Sequence, residues 1–304
     1  MLYLPEMKKT NDRTWLKDAL KSKRADQSRL AAEEDNLLLK YASYDELIIN
    51  CSDTPPASEY LSALPADDGK VKTVWSIKKI LIDHYVNSPS HLGELLSFRR
   101  TKHELDSCPY CGKPVTPSTI DHFLPKEDWP EFAIYPDNLV PQCIDCVPNK
   151  GQKYYSVDDG IAMFIHPFYS PLLSNIGFVI SASLNESEVV FDVNYKFSNI
   201  SDAEMPRVRL HIRTLRVTKR IKEYCEALLR RTIRKAKKRR ASVAKIIECH
   251  LPETQEEYYL SNNWEEAFYT AINQQAIIQY IDAFRKPLVA KAPPVVHIQY
   301  ESIE

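Results

Sequence analysis

Two short cysteine pairs, Cys108 and Cys111 in CPYCG and Cys143 and Cys146 in CIDC, constrain this chain more than any other feature. Thiolates separated by two residues can clasp one metal from a single turn, and two such pairs complete a tetrahedron with Zn–S bonds of about 2.3 Å. Four protein ligands leave no open coordination position, so such a zinc is structural. The chain has seven cysteines, an odd number, and in a reducing compartment paired Cys-x-x-Cys spacing signals metal binding ahead of disulfides. The other three, Cys51, Cys225 and Cys249, read as small buried apolar residues.

The pairs sit in a region, 104–170, that is rich in proline and poor in long periodic patterns, whereas the flanks are periodic. In 1–103, TWLKDALKSKR and AAEEDNLLLKYASYDELII put Trp15, Leu16, Ala19, Leu20, Leu37, Leu38 and Tyr41 on apolar stripes at helical spacing. VWSIKKILIDHYV and HLGELLSFRRTKHEL continue the helical pattern, with Ser88 or Ser90 as the expected cap of the latter. Beyond 170, GFVISASL and EVVFDVNYKF alternate apolar residues about a polar NES and predict a β-hairpin. Val217, Ile221, Tyr224, Leu228, Ile233 and Ala236 then form the stripe of a long helix, and ETQEEYYLSNNWEEAFYTAINQQAIIQYIDAF a last helical region. With only 6 glycines in 304 residues, turn-dense all-β folds are disfavoured. The expected class is α+β, mostly helical, in three parts: 1–103, 104–170 and 171–304. No apolar leader and no run long enough to cross a bilayer is present, which predicts a cytoplasmic protein.

The net charge of −1 conceals a segregation. Arg207 to Arg240 carries 15 Lys or Arg against Glu223 and Glu226, so the rest of the chain is strongly acidic. RRTIRKAKKRR contains no acid, and a one-signed helix face predicts an anionic partner, of which nucleic acid is the commonest. Arg230, Arg231, Arg234, Lys235 and Lys238 are the candidate phosphate contacts, with Lys150 as a further one near the cysteines.

Between the pairs lies STIDHFLPKEDWPEFAIYPDNLVPQ, where Asp121 and His122 end a short extended run. A carboxylate can hold a hard cation such as Mg²⁺, and an imidazole titrating near neutrality can deprotonate water, so the two form a minimal kit for metal-assisted hydrolysis.

The order CPYC, IDHFLP, DNLVP, CIDC and then Lys-Gly resembles an HNH endonuclease of the ββα-metal type with a zinc-bound treble-clef core, over Cys108 to Gly151. FIHPFY, with His166, resembles sequence that follows such cores. The resemblance implies zinc on the four cysteines and a catalytic Mg²⁺ or Mn²⁺ on Asp121. It implies His122 as the general base and Asn138 as the residue that stiffens the loop and orients it. The products would be 5′-phosphate and 3′-hydroxyl ends of DNA. Val147 stands where zinc-bound members carry a further metal ligand, and Asn149, brought round by a shifted helix start, is the expected substitute. Nucleases of this look occur in phage defence and restriction, sometimes beside an ATPase subunit. The same residues also suit a catalytically inactive zinc module that binds nucleic acid or a partner protein.

Overall fold

The computed structural model describes residues 1–9, 14–20, 27–50, 52–61, 76–186, 188–238, 242–251 and 263–284. The N-terminal part is helical: α1 (Thr14–Leu20), α2 (Gln27–Ala31), α3 (Glu34–Ile49), α4 (Ile77–Val86) and α5 (Ser90–Ser97). In α3, Leu37, Tyr41, Tyr44 and Ile48 are the buried residues, and their steps of four, three and four keep them on one face. Ser76 caps α4 by accepting from the Lys79 amide. The expected serine cap of α5 is absent, because Pro89, extended at φ −58° and ψ 159°, holds the cap position. Ser88 instead donates to the Tyr85 carbonyl. The KSKR part of the first expected helix lies outside the described residues.

The central part is a small antiparallel pair followed by one helical turn. β1 (Thr119–His122) pairs with β2 (Leu139–Gln142), placing Asp121 opposite Val140 and His122 opposite Leu139, and α6 (Val147–Lys150) follows. The long β1–β2 connection is built from two 3-10 turns, Pro130–Phe132 and Pro136–Asn138. Each begins at a proline, whose fixed φ suits a first helical position. A second small pair, β3 (Tyr155–Ser156) with β4 (Ile161–Ala162), lies downstream.

The expected hairpin is present as β5 (Ile176–Asn185) and β6 (Glu188–Phe197). Ile176, Phe178, Ile180 and Ala182 on β5 and Val189 and Phe191 on β6 are buried, while Val179, Ser181, Val190 and Asp192 face outward. Then come α7 (Met205–Thr214), α8 (Val217–Lys238), α9 (Val243–Glu248), α10 (Trp264–Ile272) and α11 (Gln275–Ala283). Arg216, at φ +52°, breaks the chain between α7 and α8. α8 buries Val217, Ile221, Cys225, Leu228, Leu229, Thr232 and Ala236, and leaves Arg230, Arg231, Arg234 and Lys238 exposed. Arg239, Arg240 and residues 252–262 of the last helical pattern lie outside the described residues. So does Cys51, while Cys225 is buried as expected and Cys249 is exposed, contrary to expectation.

The chain is thus α+β, with three two-stranded sheets and many helices among the described residues. Its apolar core is one continuous cluster that draws on α3, the central pair, the hairpin, α8 and α10. No helix among the described residues is long and apolar enough to cross a membrane.

Candidate active site and thiolate centre

Cys108, Cys111, Cys143 and Cys146 converge as the local turns dictate. The first pair sits in a turn closed by Gly112, at φ +72°, whose amide bonds to the Cys108 carbonyl. The second sits in the turn that enters α6, where the Cys146 amide bonds to the Cys143 carbonyl. All four are buried, and their sulfurs lie within 4.8 Å of one another. The separations are 4.0 Å for Cys108–Cys146, 3.8 Å for Cys111–Cys143 and 3.6 Å for Cys143–Cys146. Sulfurs around a tetrahedral zinc at about 2.3 Å stand roughly 3.8 Å apart, so the donor set fits a four-thiolate metal centre.

Arg220, one turn into α8, extends this centre. Its guanidinium donates to the sulfur of Cys146 at 3.2 Å and to those of Cys111 and Cys143 at 3.4 Å each. The indole of Trp264 donates to the Cys111 carbonyl at 3.2 Å and lies beside the same guanidinium. Neither residue stood out in the sequence, since Arg220 reads there as one more cation on a basic helix.

Asp121 and His122 end β1, and because side chains alternate along a strand they face opposite sides. Asp121 points inward, where its Oδ2 accepts from the Tyr110 hydroxyl at 2.7 Å and pairs with the Lys150 ammonium at 3.1 Å. Lys150 is fully buried; its ammonium also donates to the carbonyls of His122 at 3.0 Å and Phe123 at 3.2 Å. Burial pushes the Asp121 carboxyl up and the Lys150 ammonium down, and each partner opposes the shift of the other. The expected phosphate contact at Lys150 is therefore corrected: a sealed ammonium with three oxygen acceptors cannot reach a nucleic acid.

His122 faces the other side and is partly buried. Its Nε2 lies 2.9 Å from the Ala133 carbonyl, an acceptor only, so Nε2 carries the proton and Nδ1 the lone pair. The ring of Tyr85, from α4, packs edge-on against the imidazole at 4.3 Å. Burial pushes His122 down to about 3; the bond to Ala133 opposes this, while the nearby charges of Lys126, Lys150 and Arg100 add to it. The imidazole is thus neutral at pH 7.

Asn138 crosslinks the loop that carries Ala133. Its Oδ1 accepts from the Leu124 amide at 2.7 Å, and its Nδ2 donates to the carbonyls of Leu124 and Phe132, both at 3.0 Å. The Tyr44 hydroxyl, from α3, donates to the same Oδ1 at 2.9 Å. Asn138 does not touch His122; it fixes the loop whose carbonyl does. His166 is buried, with Nε2 on the Asp137 carbonyl and Nδ1 accepting the Phe168 amide, so both nitrogens serve packing.

The α6 residues differ from expectation. Val147 is exposed and offers no ligand. Asn149 donates to the Asp145 carbonyl at 2.8 Å and lines a cavity of about 700 Å³ between α6 and α8, with Lys153, Arg216 and Lys219. The residue that α6 turns toward Asp121 is Lys150, one position further, which a helix rotates by about 100°. The structure thus brings together Asp121, Lys150 and Tyr110, but sends the His122 side chain to the opposite face of β1 and leaves Asn149 on another face again. Tyr110, inside the CPYC motif, was the one missed partner of Asp121 with a signal in the sequence.

No protein-family model matches the chain, and no solved structure matches it. Over 63 residues the chain is 41% identical to protein ea31 of Escherichia phage lambda, a stretch that covers 21% of each protein. The chain therefore spans about a fifth of the length of that relative.

Proposed function

We propose that this chain is an HNH-type endonuclease that hydrolyses phosphodiester bonds of DNA, in prokaryotic defence against foreign DNA. The observation that carries this reading is the setting of His122. A loop pinned by Asn138 takes the Nε2 proton at Ala133 and leaves the Nδ1 lone pair as the proton acceptor, on a ring that burial makes a weaker base than the near-neutral imidazole expected from the sequence. The surrounding order, with β1 and β2 paired, α6 following and four thiolates at their base, supports the same reading. A zinc on those thiolates would supply folding energy and no reactive position.

The expected Mg²⁺ or Mn²⁺ at Asp121 fits poorly with the residues present. One carboxylate is available, its Oδ2 already meets an ammonium and a phenol, Val147 has no donor, and Asn149 is turned to Asp145. The chemistry assigned therefore stays with the side chains. His122 Nδ1 takes a proton from water as its oxygen attacks phosphorus, the bond to the 3′ oxygen breaks, and that oxygen takes a proton from solvent, leaving 5′-phosphate and 3′-hydroxyl ends. Lys126 and Arg100 make the surroundings of the base positive, which favours an approaching phosphate. The exposed cations of α8 hold the remaining backbone.

Supercoiled plasmid incubated with the purified chain, in EDTA and in Mg²⁺ or Mn²⁺, tests the proposal. Nicking by the wild type that His122→Ala abolishes is the expected result. No nicking under any of the three conditions overturns it. The Lys150–Asp121 pair specifically favours a second reading, a zinc module that binds nucleic acid or a partner protein without catalysis, and DNA binding with no cleavage would select it.

A further inference from the structure

We infer that Arg220 is a working part of the four-thiolate centre, and that a metal bound there fixes the basic helix α8 against the central fold. Three observations meet in this side chain. It reaches three of the four sulfurs with short N–H···S contacts. It is one-tenth exposed, although it belongs to the most cationic stretch of the chain. It is backed by Trp264, whose own N–H is bonded into the CPYC turn, and its remaining nearby anion, Asp145, stands at 3.9 Å.

The chemistry gives the arrangement a direction. Zinc with four thiolates carries a net charge of −2, and buried anions of that size require compensation. A planar guanidinium has five donors in a fixed fork, so it can serve several sulfurs at once where an ammonium serves as a point charge. Outer-sphere donors of this kind tune metal centres, and their loss commonly lowers metal affinity about 10- to 100-fold. The coupling is reciprocal. If Arg220 strengthens the hold on the metal, the metal strengthens the hold on Arg220 and so on the N-terminal half of α8. The exposed cations Arg230, Arg231 and Arg234 ride on the same helix, which makes their placement depend on the centre.

This inference rests on the metal reading of the cysteines and not on cleavage, so failure of the nuclease proposal leaves it standing. The test uses the full zinc-loaded chain. Zinc transfer to a colorimetric chelator is timed for the wild type, Arg220→Leu and Arg220→Lys, and amide hydrogen exchange is followed across 217–238 before and after zinc removal from the wild type. Release faster by about 10- to 100-fold in Arg220→Leu is expected. Arg220→Lys should fall between, and zinc removal should deprotect the first half of α8 while α3 keeps its protection. Equal release from wild type and Arg220→Leu overturns the inference, as does a wild type that holds no zinc. Unchanged exchange in α8 on zinc removal, or loss of protection that is uniform from α3 to α8, overturns it as well. The exchange measurement uses no variant, so it decides the matter even if Arg220→Leu folds badly.

Discussion

The Lys150 ammonium stands 3.1 Å from the Asp121 carboxylate, with both residues out of solvent and both tied to further groups. Removing one member of such a pair leaves an uncompensated buried charge, which typically costs about 3–5 kcal/mol. Lys150→Met is expected to lose stability of that order in denaturant unfolding, and Asp121→Asn combined with Lys150→Met to regain a large part. A Lys150→Met protein with wild-type stability and weakened DNA binding would restore the surface role that burial argues against.

Asn138 is the hub of the β1–β2 connection, with four bonds at one amide. Each buried group left without a partner costs about 1–3 kcal/mol, so Asn138→Ala should be strongly destabilising and Tyr44→Phe milder. The specific readout is ¹⁵N imidazole NMR of His122. The wild type should show the proton on Nε2, and Asn138→Ala a mixture of tautomers as the Ala133 carbonyl loosens. An unchanged tautomer in a folded Asn138→Ala protein would disconnect the loop from the base.

How much of this was legible beforehand follows from the kind of residue involved. The cysteine pairs, the hairpin and the apolar stripe of α8 were readable because spacing alone fixes them. The partner of Asp121 was not, because a choice between Asn149 and Lys150 turns on about 100° of helix phase at a turn that Pro148 helps to start. Arg220 was hidden for a different reason. A cation on a cationic helix carries no local sign that it faces inward, and what draws it in lies 74 residues away at Cys146. Tyr44 likewise read as one more aromatic on α3, since its bond to Asn138 spans 94 residues.

A buried histidine on α7 contributes to the loss of stability in acid. His211 accepts the Ile165 amide at Nδ1 and holds the Tyr110 carbonyl with Nε2, an arrangement that needs the neutral ring. Burial pushes it from 6.5 down to about 4. Between these values the unfolded chain binds the proton and the folded chain does not. Stability from this group is therefore complete above about pH 6.5 and is lost as pH falls toward 4, by at most about 3 kcal/mol. Unfolding free energy measured from pH 7 to 4 should fall, with a shallower slope in a folded His211→Gln variant; equal slopes would assign the titration elsewhere.

The outer face of α8 is the expected phosphate surface. Arg231 and Arg234 are exposed, and Arg230 carries only a loose pair with Glu226 at 3.8 Å. For a duplex ligand the slope of log affinity against log salt should shrink by about 0.9 for each phosphate contact removed. Arg230→Ala, Arg231→Ala and Arg234→Ala combined should thus flatten the salt dependence measurably, by fluorescence anisotropy, without altering thermal unfolding. A wild-type slope in the triple variant would move the nucleic-acid surface off this helix.

The cover over the thiolates has a consequence for synthesis. The last cysteine of the centre leaves the ribosome 74 residues before Arg220 does, and Cys111 precedes Trp264 by 153. At roughly 5–20 residues per second, the four sulfurs are made about 4–15 s before their guanidinium arrives. A metal that these four sulfurs could hold would thus meet them open during translation, before the growing chain covers them with its own basic helix.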